Sequence, residues 1–311
     1  AMEGTTSKNA KLLATAGFLF ITMIWGGSFV VMKNSVDLVP PSYLLALRFT
    51  LAAAFMALAF PGRMKNLDRG SLTCGLIMGI FLTLAYLFQT YGIKYTTASK
   101  NAFITALYVV LVPFLYWKIS KKRPGLNQIA AGLVAVIGLA LLTLKHESGI
   151  NLGDALTFLC GVCFAVHMIC TEEYTKRCDP ILLATVQVAA VGVFNWLLAP
   201  FLDGPGAFDP AILLHKSLIL GLLYLSLICT TVGFLIQTVG QKYLSANTVS
   251  LLLSLEAVFG TLFSVIFLGE VLTGRMILGC VLMFSALLLS ELRFTVPGKA
   301  PPHINKTSDY F

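Results

Sequence analysis

Three residues that carry charge, or readily gain it near neutral pH, lie well inside long apolar stretches of the chain: Arg48, His167 and Glu256. Such a group is costly in hydrocarbon unless it faces a cavity or a partner. Each is therefore a candidate for binding a polar ligand or moving a proton. A carboxyl in an apolar cavity can exchange a proton near neutral pH. We predict that Glu256 couples protons or binds a substrate cation; a structural tie, through hydrogen bonds or a salt bridge to Arg48, is the alternative.

Arg48 lies seven residues after Pro41, and Gln187 lies seven residues after Pro180. A guanidinium two turns inside an apolar stretch can bind a carboxylate through two parallel hydrogen bonds. Burial against backbone carbonyls at helix ends would explain the same residue. The sequence leaves both interpretations open.

One apolar stretch carries Cys160, Cys163, His167 and Cys170, spaced 3-4-3 on one helical face. Thiolate and imidazole suit zinc or copper(I). A single helix cannot surround a tetrahedral ion, because residues on successive turns lie too far apart. We therefore interpret the set as small residues at a helix interface with one hydrogen-bonded histidine, and predict no metal. Seven cysteines, mostly in apolar stretches, do not indicate a disulfide framework.

The elements that position these residues are membrane helices. The chain is 57% hydrophobic and 12% charged, with a mean hydropathy of +0.85, which excludes a soluble domain. Stretches that reach the length of a bilayer are helical, because the backbone must satisfy its own hydrogen bonds there. We predict ten spans: 12–32, 42–60, 71–93, 99–117, 126–144, 153–172, 181–202, 216–241, 245–268 and 273–292.

The net charge of +8 follows from membrane topology. With the N-terminus inside, the inner segments hold fifteen Lys and Arg and the outer segments hold six. This is the bias of a multi-pass plasma membrane protein with both termini in the cytoplasm. No nucleic-acid partner is implied. The sequence also has no phosphate-binding loop, so we predict no ATP and no other cofactor.

The chain repeats itself at an interval of 148 residues. Residues 82–95 and 230–243 are identical at seven of fourteen positions, including Gln89 with Gln237, where composition alone would give roughly one or two. The interval aligns span three with span eight and span four with span nine. Five spans per copy is an odd number, so the second copy enters the membrane from the opposite side.

We therefore predict an all-α integral membrane fold of two inverted five-helix repeats. The repeats are 12–144 and 145–294, between a cytoplasmic segment at 1–11 and a disordered cytoplasmic tail at 295–311. Inverted repeats support alternating access, although some channels also use them.

The repeat also selects candidate cavity residues. Glu256 and Tyr108 are mates in mid-span, where an inverted repeat places a substrate site. Tyr86 with Gln89, and Phe234 with Gln237, give each copy an aromatic and amide face. Other residues are chosen for their spacing: the polar stripe Asn101, Thr105 and Tyr108, and the neighbours Trp25 and Ser28 around Gly26-Gly27. The glycine pair predicts either a hinge or tight packing.

The sequence resembles the drug/metabolite transporter superfamily in its ten-helix EamA-type branch, over about residues 12–294. The matching motifs are Trp25-Gly26-Gly27-Ser28-Phe29, Arg48-Phe49, Gln89-Thr90 through Thr97-Ala98, Tyr108-Val109-Val110-Leu111-Val112-Pro113, and Ser250 through Ala257-Val258 to Leu268-Gly269-Glu270. The family often has a proline after the glutamate of span nine. This chain has Ala257 there, so that position does not predict a break in the helix.

The resemblance implies a transporter of a small metabolite, more often outward than inward. With the residues above, it predicts a secondary transporter for an amino acid or organic amine, acting as a proton-coupled exporter. The alternatives are an uncoupled facilitator or channel and, less favoured, a soft-metal transporter or a membrane enzyme; no catalytic constellation is found. Two repeats in one chain allow a monomer and are compatible with a homodimer.

Overall fold

The computed structural model describes residues 2–121, 123–144, 149–268 and 271–291. Within these ranges the regular secondary structure is helical throughout. The predicted tail at 295–311, the start of the second repeat at 145–148, its end at 292–294 and the motif residues Gly269-Glu270 lie outside the described residues.

The ten predicted spans are confirmed as helices, three of them divided into segments. They are, in chain order, span one Met2–Val36; span two Pro41–Ala59; span three Arg69–Tyr95; span four Ala98–Ala106 and Tyr108–Ser120; span five Leu126–Thr143; span six Leu152–Tyr174; span seven Pro180–Leu202; span eight Lys216–Leu223, Tyr224–Val232 and Gly233–Gln241; span nine Ala246–Ser254 and Glu256–Leu268; and span ten Gly274–Glu291.

Eight of the spans are long and apolar enough to cross a membrane, and spans five and ten contain shorter apolar helices, Leu126–Leu142 and Gly274–Ser290. Two short helices, Pro61–Met64 and the 3₁₀ turn Pro210–Leu214, lie in the connections. Spans two and seven, which are repeat mates, both begin at a proline, Pro41 and Pro180. Proline suits the first helical position because its missing N–H has no partner there in any case.

The helix contacts reflect the two repeats. Span two packs on span seven, and span five on span ten, so each repeat mate contacts its own counterpart. Spans three and six pack together, and so do their mates, spans eight and one. Span four packs on span six, and their repeat mates, spans nine and one, also pack together. The contacts form matched sets, as expected for two copies of one five-helix unit in inverted orientation.

Span one is one continuous helix through Gly26-Gly27, without a hinge at this pair. A Cβ atom added to Gly26 would lie 2.7 Å from the carbonyl oxygen of Glu256 and 2.8 Å from the backbone nitrogen of Gly260. Spans one and nine therefore touch backbone to backbone beside Glu256. Only residues without a side chain permit this approach.

Span eight widens in its middle, where Tyr224–Val232 forms a π-helix. The hydroxyl groups of Thr230 and Thr231 donate to carbonyls five residues earlier, Leu225 and Ser226, at 2.7 and 3.0 Å. The corresponding part of span three is a regular α-helix. The two repeats thus differ in backbone form at this position, and π-helical segments occur frequently at functional sites.

Candidate functional site

Spans four and nine are broken at equivalent positions. The first segment of span four ends before Leu107 and that of span nine before Leu255, 148 residues later. At both breaks the backbone N–H bonds three residues back, Leu107 to Ile104 at 3.2 Å and Leu255 to Leu252 at 3.1 Å. The break in span nine therefore forms without a proline at position 257.

A buried cavity lies between the two broken spans. It has a volume of about 50 Å³, which is enough for a few water molecules. Ten of the twelve predicted site residues line it: Trp25, Ser28, Arg48, Tyr86, Gln89, Asn101, Thr105, Tyr108, Gln237 and Glu256. The wall also contains apolar residues that were not predicted: Phe29, Met32, Ile93, Phe164, Met168 and Leu253. Charge, spacing and the repeat thus selected the polar residues of this wall, but not these six apolar ones.

Arg48 is the cation of the cavity wall, and 2% of its surface is exposed. Its Nε donates to the Thr230 hydroxyl at 2.7 Å. Its guanidinium carbon lies 4.9 Å from the ring centre of Tyr86 and 5.2 Å from that of Phe49. Arg48 forms no ion pair with Glu256 or with any other carboxylate in the described ranges. The guanidinium is thus held by a neutral hydroxyl and two aromatic faces.

Glu256 is the acidic residue of the same wall. It is buried, and the hydroxyl of its repeat mate Tyr108 lies beside its carboxyl group. Both residues begin the second segment of their span. Each break is therefore followed at once by a polar side chain of the cavity wall.

The indole of Trp25 is anchored to the π-helix. Its Nε1 donates to the carbonyl oxygen of Cys229 at 2.8 Å, and its ring lies 5.7 Å from that of Phe234. Ser28 donates to the Trp25 carbonyl within span one. The backbone hydrogen bonds of a π-helix join residues five apart instead of four. Within this segment, the Cys229 carbonyl accepts a hydrogen bond from a side chain of another span.

The structure places the two remaining predicted residues, His167 and Phe234, behind the cavity wall. His167 Nε2 lies 2.6 Å from the Gln187 side-chain oxygen, and Gln187 donates to Thr238 at 3.0 Å. The Phe234 ring is 1% exposed and packs against Trp25, Phe49 and Tyr86. These contacts support the aromatic wall from behind.

The cysteines of span six contact different neighbours. Cys160 lies 3.8 Å from the Thr105 hydroxyl, and Cys170 packs near Cys74. No group of three or more His, Cys, Asp or Glu side chains in the described part of the chain has the geometry of a metal site.

Two carboxylates of span six tie it to neighbouring spans near its opposite ends, and the sequence did not suggest either. Asp154 accepts from Lys100 at 2.6 Å and from the Thr96 hydroxyl at 2.8 Å. Glu172 accepts from the Tyr116 hydroxyl and from the backbone N–H of Ala246, both at 2.8 Å. Both carboxylates are buried. An acidic residue near the end of a span is usually solvated. The sequence therefore did not predict these contacts, which only the structure shows.

The fold and this cavity define a multi-pass membrane transporter built from two inverted repeats. The family model of the EamA-like transporter family matches residues 12–144 and again residues 151–292. The chain therefore belongs to the EamA-like transporter family. The second match lies inside the predicted second unit, 145–294.

Relatives of the chain carry transporter names. An uncharacterized transporter of Archaeoglobus fulgidus is 33% identical over 94% of this chain and 90% of its own length. A probable amino-acid metabolite efflux pump of Salmonella typhimurium is 27% identical over 89% and 94%. Its namesake in Escherichia coli is 28% identical over 88% and 92%. One solved crystal structure matches with a TM-score of 0.73 at 18% identity, covering 89% of this chain and 97% of the other; it supports the fold.

Proposed function

We propose that this protein is a secondary transporter that exports an amino acid or a related organic amine across the plasma membrane by alternating access, coupled to protons. One observation carries the proposal. Arg48 and Glu256 line the same buried cavity, and they form no ion pair with each other. A guanidinium and a carboxyl group that line one cavity without pairing complement a zwitterion, which brings a carboxylate and an ammonium group.

In this mechanism Arg48 binds the substrate carboxylate. A guanidinium binds a carboxylate through parallel N–H groups, and only the Nε of Arg48 is engaged by Thr230. The rings of Trp25, Tyr86 and Phe164 border the cavity and contact the apolar part of the substrate. The cavity volume of about 50 Å³ is far below the ~300 Å³ or more of pockets that hold drug-sized ligands. Substrate entry therefore requires the cavity to widen.

Glu256 provides the coupling. Its carboxylate accepts either the substrate ammonium or a proton, and the two compete for one group. Protonation from the outer side displaces the substrate outward. Loss of that proton to the cytoplasm restores the carboxylate for the next substrate, so each cycle exchanges one proton for one substrate. The topology assumed here has both termini in the cytoplasm.

We infer alternating access from the two ties on span six. The Lys100–Asp154 contact and the Tyr116–Glu172 contact hold spans four and six together near their two ends. We propose that one tie opens at a time, Asp154 toward the outside and Glu172 toward the cytoplasm. Two inverted copies of one unit make the two open states structurally related.

The test is counterflow and proton flux in proteoliposomes. The purified full chain is reconstituted with a pH-sensitive dye, and glycine, L-leucine, L-phenylalanine and their decarboxylated amines are added in turn. We expect counterflow of at least one amino acid, with proton movement in wild type that is lost in Glu256→Gln. The control is Glu173→Gln, which removes an exposed carboxylate of span six. Counterflow with no proton movement in wild type would indicate an uncoupled facilitator.

A further inference from the structure

Two amide side chains of the cavity wall each have an oxygen atom without a partner. Asn101 Oδ1 and Gln237 Oε1 are buried and accept no hydrogen bond within the described part of the chain. Both residues line the cavity. Buried acceptors in proteins nearly always receive a hydrogen bond, so two such oxygens at one cavity are available to the donors of a bound ligand.

The amide of Asn101 cannot be turned around. Its Nδ2 donates to the backbone oxygen of Gln89 at 3.1 Å and to the Thr157 hydroxyl at 2.8 Å. The backbone oxygen can only accept. The Thr157 hydroxyl gives its own proton to the Gly153 carbonyl at 2.6 Å, so it too must accept from Asn101. The free atom of Asn101 is therefore its carbonyl oxygen.

Two consecutive hydrogen bonds likewise fix the orientation of the Gln237 amide. Gln241 Nε2 donates to the backbone oxygen of Met168 at 2.8 Å. The Gln241 side-chain oxygen then accepts from Gln237 Nε2 at 3.3 Å. Because the Met168 carbonyl can only accept, both hydrogen bonds have one direction. The atom left over is again a carbonyl oxygen.

We propose that Asn101 and Gln237 select substrates by their N–H groups, and this inference rests on the transport function proposed above. Together with Glu256 they supply acceptors along the cavity wall, whereas Arg48 supplies donors to the carboxylate. A primary ammonium group has three N–H donors and satisfies these oxygens. An N-methylated analogue keeps its charge and carboxylate but leaves a buried oxygen unpaired. We expect affinity to fall about tenfold for each N–H removed.

The experiment uses the amino acid with the fastest counterflow among glycine, L-leucine and L-phenylalanine, and its N-methyl, N,N-dimethyl and N,N,N-trimethyl forms. Competition with the unmethylated amino acid gives the affinity of each form for the reconstituted full chain. Added bulk is separated from lost donors by Gln237→Met, which keeps the length of the side chain and removes the acceptor. Discrimination is the logarithm of the ratio between the affinities for the unmethylated and the methylated forms. We expect Gln237→Met to lose at least half of it and Gln237→Glu to keep it.

Asn195→Leu is the matched control. Asn195 is fully buried, its Nδ2 donates to the Val191 carbonyl at 2.8 Å, and its side-chain oxygen has no partner among the described residues. It lies away from the cavity wall. Its replacement should leave the discrimination unchanged. Equal affinity of all four forms for wild type, or full discrimination retained in Gln237→Met, would overturn the inference while leaving amino-acid transport intact. An absence of counterflow with every amino acid and amine tested would instead refute the proposed function, and this inference with it.

Discussion

Tyr108 and Glu256 are separated by 148 residues, and each opens the second segment of a broken span directly after a leucine, Leu107 or Leu255. Their side chains lie side by side in the cavity. The two repeats therefore meet where each has its own break. A movement of either broken span changes the surroundings of both polar groups.

Replacing Arg48 with lysine should weaken binding of amino acids more than binding of amines. Arg48→Lys keeps a positive charge but loses the planar fork and the stacking on Tyr86 and Phe49. We expect roughly a tenfold to hundredfold loss of affinity for an amino acid and a smaller loss for its decarboxylated amine. Competition assays with both ligands measure the difference. Equal losses would mean that Arg48 acts on the fold and does not contact the carboxylate.

Replacing Gly26 with alanine should destabilise the protein. The new Cβ would lie 2.7 Å from the Glu256 carbonyl oxygen and 2.8 Å from Gly260, and overpacking of this kind costs about 1–3 kcal/mol. We expect a lower melting temperature and little transport, because spans one and nine must separate beside Glu256. Gly62→Ala is the control, since nothing lies within 4 Å of its added Cβ. Equal melting temperatures for the two variants would refute the tight contact.

Removing one tie of span six should open one end of the cavity. In a background without native cysteines, Ile93→Cys and Met168→Cys report on the two ends, because both positions line the cavity. We expect Asp154→Asn to increase labelling of Cys at position 93 by a membrane-impermeant maleimide several-fold, from one side of the membrane. Glu172→Gln should increase labelling of Cys at position 168 in the same way, from the opposite side of the membrane.

The exposed neighbour provides the control for both ties. Glu173→Gln removes a carboxylate of span six that pairs with Lys176, and it should change neither labelling rate. If Asp154→Asn increased labelling equally at both positions, the two ends would not open independently.

Replacing Trp25 with phenylalanine should separate the effect of the indole hydrogen bond from the effect of the aromatic contact. Trp25→Phe keeps an aromatic ring against Phe234 but leaves the Cys229 carbonyl without its donor. A buried carbonyl without a partner costs about 1–3 kcal/mol. We expect a lower melting temperature together with slower transport. Unchanged unfolding and unchanged transport would show that the π-helix does not require this bond.

The spans were predictable because a bilayer imposes a length and a composition. The predicted 42–60 and 181–202 differ from Pro41–Ala59 and Pro180–Leu202 by one residue at most, since proline and charge mark the ends. An acidic residue inside an apolar span then selected Glu256, and the repeat selected its mate Tyr108. The breaks at Leu107 and Leu255 were not predictable, because leucine favours a helix and no proline follows at position 257.

The apolar part of the cavity wall also could not be predicted from the sequence. Phe164, Met168 and Leu253 resemble dozens of other apolar residues in the spans, and only the rotation of each helix decides which side faces the cavity. Polar residues are few in such helices, so their positions alone indicated a face. His167 shows the limit of that reasoning, because a buried histidine can also be satisfied by one amide such as Gln187.

The π-helix of span eight also lies where the interval between the two copies changes. Before it, Ser71-Leu72 and Gly75-Leu76 match Ser217-Leu218 and Gly221-Leu222 at an interval of 146. After it, the interval is 148. The second copy therefore has two more residues than the first over this stretch, where its helix is π-helical. The segment with the additional length is the one that presents a carbonyl to Trp25 and a hydroxyl to Arg48.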